Sequence, residues 1–543
     1  MGKTTLLDAI GLLLGPGAPI AASDTDYHGR DYTSGFVIEA VISLPATSAM
    51  NDQVKPAWPW DWNGSEAVVP TIEEGATQRE PVYCLRVRGT DELDLVHEIV
   101  QPDGSSDPLR IGLRRAIGLV QLGGNDHNDR DLRLVQGSAL DRLLSDKGLR
   151  SRLTTRLAQI AVQDDLTDDA KARLQTLDSN FRKRHLPSGL DLAVTGSQGM
   201  SVSALVGLRS EHDDVQLPLA CWGSGTRRLV ALAISEENQT GTSIATVDEL
   251  ERGLEPYRQR SLIQSLQSRS AQVFVTTHSP IVIASATEAD TWYLDAEGRI
   301  GQLDGETVAA HRARDPQAYL SRLTIVGEGT SEVGFLRVLL EKGVDGALES
   351  HGIHITDGGG HETVLELLEA LRDGGLVFGG FVDNEQNLHE ARWTKLAASL
   401  GDRLFRWSSG CLEENILRHV PDDKLEVFIE DPQGKKTGAR LRTLADRLDS
   451  KHKDLDAIRT VVGDQLKQLV LEAALGTVPP EKESEKKAYR KHGQHWFKTL
   501  AGGQELAQKV FSLGVWPRIQ EELLPFCNAI RRTVGQADLS GFQ

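Results

Sequence analysis

Apolar and polar residues alternate from 36 to 44, the two-residue period of a strand with one covered face. Two more apolar runs, 82–87 and 93–100, flank Gly89-Thr90-Asp91 as the arms of a hairpin flank its turn. Between these strands, residues 51–75 set Trp58, Trp60 and Trp62 among prolines and acids, the pattern of a surface loop. From Ser138 to Arg184 the period becomes helical, with Leu and Ala recurring among Arg, Lys and Asp, which predicts a helical arm over about 138–187 that stops at Pro187. A second α/β stretch runs from 190 to about 303.

At Leu320 a regular alternation begins. Short apolar runs at 323–326, 354–355, 377–382 and 404–407 are separated by helical patterns starting near Ser331 and passing through 365–371 and 393–400. Strand and helix in strict alternation predict a parallel sheet with helices on its faces. Beyond Pro421 the chain turns helical and charged, most polar at 481–492. The fold class is therefore α/β in three parts: a domain over 1–310 carrying the arm, a parallel-sheet core over 318–420, and a helical part over 421–543.

Composition narrows the function classes. The 543 residues are 39% hydrophobic, and no run nears the roughly 18 apolar residues that a membrane span requires. There is no basic segment followed by an apolar stretch and cleavage site at the start, so a cytoplasmic protein without a membrane partner is expected. Cys84, Cys221, Cys411 and Cys527 are far apart and form no CxxC pair, against both a disulfide framework and a zinc knuckle. A net charge of −18 repels nucleic acid overall, so phosphate contact has to come from local basic groups or bound cations.

Two constellations carry chemistry. In the first, Gly2-Lys3-Thr4-Thr5 reads as the second half of a phosphate-binding loop entering its helix, and the frame upstream of Met1 is expected to encode a strand and the remaining Gly-x-x-x-x. Cys221-Trp222-Gly223-Ser224-Gly225-Thr226 is a Gly/Ser turn opening a helix, whose free N–H groups and positive dipole end suit a phosphate. Residues 243–247 form an apolar strand ending in Asp248-Glu249, where Asp248 would order Mg²⁺ and Glu249 polarise the attacking water. A further strand ends at Thr277-His278-Ser279-Pro280, placing the His278 imidazole toward a γ-phosphate; Gln121, before Gly123-Gly124, is a candidate Q-loop glutamine. In this order the motifs resemble ABC-type ATPase heads such as those of the SMC and RecF groups over about 1–300. The resemblance implies ATP with Mg²⁺ and a homodimer or higher homo-oligomer, since the signature turn Ser224-Gly225 closes over another protomer's nucleotide.

The second constellation is acidic. Gly327-Glu328-Gly329 follows the strand at 323–326, so the Glu328 carboxylate faces the crevice at the carboxyl edge of the sheet, where open α/β sheets bind ligands. Glu332 lies one helical turn on. Asp383-Asn384-Glu385 follows the run 377–382, and Glu413-Glu414 follow the strand at 404–407. Oxygen ligands at this density fit Mg²⁺ or Mn²⁺.

An isolated glutamate after the first strand, the turn Asp357-Gly358-Gly359-Gly360, and an acid-x-acid after a later strand resemble a TOPRIM domain. An ABC-type head followed by TOPRIM is similar to the OLD (overcoming lysogenization defect) family of ATP-dependent nucleases, which includes the nuclease subunit of the Gabija antiphage system. The resemblance implies DNA cleavage by two divalent metals held by Glu328, Glu332, Asp383 and Glu385, with Glu413 or Glu414 completing the second site, and a C-terminal lysine near the scissile phosphate, for which Lys498 is the candidate. Glu385 departs from the Asp more usual there. The expected function is a metal-dependent DNA endonuclease or nickase, regulated by the ATPase head, in defence against phage or mobile DNA with room for a partner defence protein. The alternative is a non-nucleolytic DNA-associated ATPase with TOPRIM as a scaffold or regulatory module. A topoisomerase or primase use of TOPRIM lacks its companion tyrosine-bearing or zinc-binding module.

Overall fold

The computed structural model describes residues 2–15, 21–43, 59–70, 80–122, 132–135, 138–144, 152, 166–183, 207–212, 215–237, 244–268, 272–294, 298–384 and 389–542. It divides into two compact units, Gly2–His278 and Ser279–Gln543.

The first unit begins with helix α1 (Lys3–Leu14), which buries Leu7, Leu13 and Leu14. An antiparallel sheet is built from β1 (Phe36–Ser43), β2 (Trp60–Trp62), β3 (Ala67–Val68), β4 (Glu80–Gly89), β5 (Leu95–Val100) and β6 (Ser106–Pro108), in the order β3-β2-β4-β5-β6 with β1 also on β4. The expected β4–β5 hairpin is present, with Leu85 opposite Ile99 in a core that includes Leu13, Leu14, Val87 and Leu113. Residues 60–62 correct the loop expected there: they pair with β4, and the Trp60 indole N–H donates to Val100 O at 2.8 Å. A separate parallel sheet places β8 (Ile244–Val247) between β7 (Val120–Leu122) and β9 (Gln272–Val275), with helix α2 (Ser224–Glu237) entering between β7 and β8 in the chain. Of the expected arm, helices at Ala139–Leu144 and Asp168–Lys183 are described, and 145–151, 153–165 and 184–187 lie, apart from residue 152, outside the described residues.

In the second unit β10 (Leu323–Gly327), α3 (Thr330–Gly343), β11 (Ile353–Asp357), α4 (His361–Asp373), β12 (Phe378–Val382), α5 (Glu390–Leu400) and β13 (Leu404–Arg406) alternate as expected. They form a four-stranded parallel sheet in the order β11-β10-β12-β13. One face rests on Val364, Leu367, Leu368, Trp393 and Leu396; the other on Phe335, Leu336, Leu339 and the helical C-terminal part. That part includes α6 (Leu412–His419), α7 (Thr437–Arg447), α8 (Lys486–His495), α9 (Leu500–Ser512) and α10 (Trp516–Thr533). Close approach of α3 to α9 rests on glycine: a Cβ on Gly503 would stand 2.0 Å from Ser331 O, and one on Gly334 2.1 Å from Leu500 O. Leu303, Val308, Ala318 and Tyr319 are buried with this second sheet.

Candidate active sites

In the first unit, the ends of β8 and β9 bring the head motifs together. Thr4 Oγ1 donates to Asp248 at 3.2 Å and Thr276 Oγ1 donates to the same carboxylate at 2.5 Å. Lys3 Nζ donates to Thr277 O at 3.3 Å and stands 3.3 Å from His278 Nδ1. Burial lowers the Lys3 pKa against the opposing pull of Glu251, Asp248 and Glu249. Gly2 caps α1 with φ 114°, a conformation that glycine adopts at little cost. The first turn of α1, whose leading N–H groups have no partner within the helix, thus carries the two side chains that reach Asp248, Thr277 and His278.

Glu249 has φ 48°, in the left-handed region that costs a non-glycine residue about 1 kcal/mol or more. Its neighbours hold it there: its N–H donates to Thr276 Oγ1 at 2.9 Å, and Arg228 donates to Glu249 O at 2.8 Å and to Asp248 O. Arg228, Thr276 and Glu251 were not singled out from sequence. Glu251 accepts from Thr277 Oγ1 and His278 N, both at 2.7 Å, and so fixes the turn that carries His278. Ser224 and Gly225 lie against Gly253, where a Cβ on Gly225 would meet Gly253 O at 2.0 Å. Among the described residues no hydrogen bond joins them to Lys3, Thr4 or His278. Gln121 packs its side-chain amide on Gly11 of α1, and Gly123-Gly124 lie outside the described residues.

In the second unit, Gly359 (φ 84°) and Gly360 (φ 106°) make the turn after β11 in conformations that favour glycine. The turn clamps the end of β10: Gly358 N–H donates to Gly327 O and Gly360 N–H to Glu328 O, each at 2.8 Å. Glu328 Oε2 accepts from Asp383 N at 3.0 Å, and Asp383 Oδ1 accepts from Leu412 N at 3.0 Å. Three segments, at the ends of β10 and β12 and the start of α6, are joined in this way through carboxylates. Glu332, Asp383 and Glu413 are buried. Lys498 Nζ donates to Glu413 Oε2 at 3.1 Å.

The charge in this cluster is unbalanced. Burial, then Glu332, Glu328 and Glu413, push the Asp383 carboxyl up to about 9. Burial and Glu413, with Glu328 adding and Lys498 opposing, push Glu332 up to about 7. Burial works against the Lys498 ammonium, but Glu413, Cys411 and Glu332 outweigh it and raise its pKa. Lys498 is held from behind: Arg440, fully buried, donates to His495 O at 3.0 Å, forms a bidentate pair with Glu505 at 2.7 and 2.6 Å, and lies 5.4 and 5.3 Å from the rings of Trp496 and Phe497.

Glu414 is set apart from the four inner acids, pairing with Arg418 at 3.1 Å on the exposed side of α6. Glu385 lies outside the described residues. His361, which sequence did not single out although it follows the glycine turn directly, has Nδ1 3.6 Å from Glu328 Oε2 and Nε2 buried without a partner. Among the described residues no three His, Cys, Asp or Glu side chains are already drawn into a cage for an ion. Glu413 Oε1, however, is buried with no hydrogen-bond partner, an acceptor whose desolvation is uncompensated. That orphaned oxygen, in a set of hard carboxylates with one lysine, fits a divalent cation of the Mg²⁺ or Mn²⁺ type.

A family model described as "AAA domain, putative AbiEii toxin, Type IV TA system" matches residues 103–284, which contain Ser224, Gly225, Asp248, Glu249 and His278. With the geometry around Lys3 and Asp248, the match supports an AAA-type ATPase head, which implies ATP with Mg²⁺. No curated protein matches the sequence. Among the described residues no helix is long and apolar enough to cross a membrane.

Proposed function

We propose that the chain is a metal-dependent DNA endonuclease or nickase of the OLD type, its TOPRIM cluster governed by the ATPase head. The observation that carries this reading is the convergence of Glu328, Glu332, Asp383 and Glu413 on one sheet edge with a single lysine and an unpartnered Glu413 Oε1. Glu328, Glu332, Asp383 and Glu413 would hold the cations, with Glu385 as a further ligand; bound there, two divalent ions would supply Lewis acidity and neutralise charge on the phosphate. Lys498, kept protonated by Glu413, offers an ammonium to the phosphate oxygens. The Asp383 carboxylate, accepting from Leu412 N, ties α6 to the strand end and keeps Glu413 in register with Glu328.

In the head, Lys3 and the first turn of α1 would take the ATP phosphates, Thr4 and Asp248 the Mg²⁺, Glu249 the attacking water and His278 the γ-phosphate. Ser224 and Gly225, remote from their own Lys3 in the hydrogen-bond network, suit a nucleotide on a second subunit, so the active species is a homodimer or larger. The match to a family named for a toxin–antitoxin system is in keeping with cytoplasmic defence against phage or mobile DNA, alone or with a partner protein. The test is nicking of supercoiled plasmid in Mn²⁺ by the wild type and by Glu328→Ala and Asp383→Ala, at matched thermal melts. Undiminished nicking in both variants sinks the nuclease reading. The open arrangement of the acids favours one alternative, an ATPase with TOPRIM as a scaffold; a chain that binds Mn²⁺ but never nicks would establish it.

A further inference from the structure

Helix α8 ends at the carboxylate cluster. Trp496 N–H and Lys498 N–H both donate to Gly493 O at 3.1 Å, and a Cβ on Gly493 would stand 3.1 Å from Lys498 Cγ, so the last turn of α8 and the lysine that reaches Glu413 form one folded corner. Arg440 fixes the same corner through His495 O. Whatever the outer face of α8 binds is thereby held in fixed relation to the cluster.

That outer face is cationic. Tyr489, His492 and Gly493 point inward and are buried, whereas Lys487, Arg490, Lys491 and Gln494 are exposed. At 3.6 residues per turn these four fall on one stripe opposite the buried face. Among the described residues, Lys487, Arg490 and Lys491 have no ion pair or side-chain hydrogen bond. The cations farther from the cluster are neutralised: Lys486 pairs with Glu483 at 2.6 Å, and Lys482 with Asp449 at 2.8 Å and Glu485 at 3.8 Å. In a chain of net charge −18, a stripe of unpaired positive charge runs along the helix whose last turn adjoins the site. With a rise of about 1.5 Å per residue, Lys487 and Lys491 are about 6 Å apart along the axis, on the order of two successive phosphates of one DNA strand.

We propose that the stripe of Lys487, Arg490 and Lys491 is the track on which duplex DNA lies as it enters the carboxylate cluster, each cation taking a backbone phosphate and none reading a base. The inference rests on the nuclease reading for its choice of DNA. Phosphate contacts of this kind position a duplex without selecting its sequence.

The experiment is binding of a labelled DNA duplex to the full chain by fluorescence anisotropy in EDTA, over a salt series. Because no cutting takes place in EDTA, binding is read apart from cleavage. Replacing all three cations (Lys487→Gln, Arg490→Gln, Lys491→Gln) is expected to weaken binding at least about ten-fold near 0.1 M salt. It should also reduce the slope of log K against log salt by about 2 to 3, given roughly 0.9 per phosphate contact. Gln494→Lys, which adds a fourth charge to the stripe, should steepen the slope by about 1. An unchanged slope in both variants overturns the proposal, and so does a slope that changes for duplex RNA but not for DNA. A chain that follows these expectations yet cuts no plasmid in any metal sinks the nuclease reading alone. One that nicks through Asp383 while its salt slope ignores α8 sinks this inference alone.

Discussion

Both candidate sites gather acids at the carboxyl ends of parallel strands, yet they differ in how far the protein itself satisfies them. In the head, Asp248 accepts from the hydroxyls of Thr4 and Thr276, and Glu251 from Thr277 and the His278 backbone, so these two carboxylates have donors before any ligand arrives. In the second unit, four acids share Lys498 and two backbone N–H groups, and Asp383 and Glu332 are driven toward the protonated form. A site whose polar groups are already paired is organised to receive a neutralised ligand such as a nucleotide with its Mg²⁺. Anions left in mutual repulsion in a buried place are organised for cations, which remove the repulsion on binding.

The largest expected effect lies where that repulsion is strongest. Asp383→Asn keeps the acceptor for Leu412 N but deletes the charge, so nicking in Mn²⁺ should fall on the order of a thousand-fold. Metal-free at neutral pH, the variant should melt above the wild type, because folding no longer has to protonate or desolvate a carboxylate that is ionised in the unfolded chain. With metal the order should reverse: the wild type gains about 2.7 kcal/mol at a hundred times its Kd, and the variant little. Scanning calorimetry with and without Mn²⁺ checks both, and an equal metal-induced shift in the two proteins would contradict the assignment.

Next in size is the head. Glu249→Gln should lower ATP turnover by about 10²–10⁴-fold, the usual worth of a positioned proton acceptor, with ATP still bound. Metal-dependent nicking should remain detectable, since a regulator shifts populations without supplying the reacting groups. Loss of nicking in step with ATP turnover would mean that hydrolysis drives each cut and the two sites are not separable.

A smaller effect follows from pH. With Asp383 raised from 3.8 to about 9 and Glu332 from 4.5 to about 7, the folded chain binds these protons more tightly than the unfolded one. Their contribution to stability is therefore complete below about pH 4 and is lost as pH rises through about 7 and then 9. His311, pushed down to about 4 by burial and by Arg314, works in the opposite sense below pH 6.5, so the informative window lies above that. Metal-free protein should lose Tm from pH 6.5 to 8.5, and saturating Mg²⁺ should flatten the fall. A decline of equal slope with and without metal would place its cause outside the cluster.

What could be read from sequence was local. The glycines around Glu328 and the turn 357–360 announce strand ends, and the apolar run before Asp248-Glu249 announces a buried strand. What could not be read depends on partners far apart in the chain. Arg440 and Glu505 are separated by 65 positions, and nothing in their neighbourhoods marks a buried pair behind Lys498. Arg228 acts through the backbone carbonyls of Asp248 and Glu249, which carry no side-chain signature, and Thr276 reaches Asp248 from 28 positions away. The three-residue strand Trp60–Trp62 is too short for its period to show, and pairing with β4 decides it. Nor does any change of composition mark that Leu303 and Val308 are buried with the second sheet; tertiary packing alone decides it.

The smallest effect separates two neighbours that sequence left equivalent. Glu413 and Glu414 open the same helix, about 100° apart around its axis, so one faces the cluster and the other solvent. Glu413 is buried with one oxygen on Lys498 and the other unpartnered; Glu414 is half-exposed and pairs with Arg418 four residues on. Removing that exposed pair through Glu414→Ala should cost no more than about 0.5 kcal/mol and leave the Mn²⁺-induced rise in Tm unchanged. Glu413→Gln, of nearly the same shape, should abolish most of that rise, because the cation loses a buried anionic ligand while Lys498 loses its charge partner. The pair of melts, each with and without Mn²⁺, distinguishes two geometries. If Glu414→Ala removes the metal response as fully as Glu413→Gln does, then the Arg418 pair opens on metal binding and Glu414 turns inward as a ligand beside Glu385. If only Glu413→Gln removes it, the unpaired charge that distinguishes this site from the head resides in Glu328 and the three buried acids Glu332, Asp383 and Glu413.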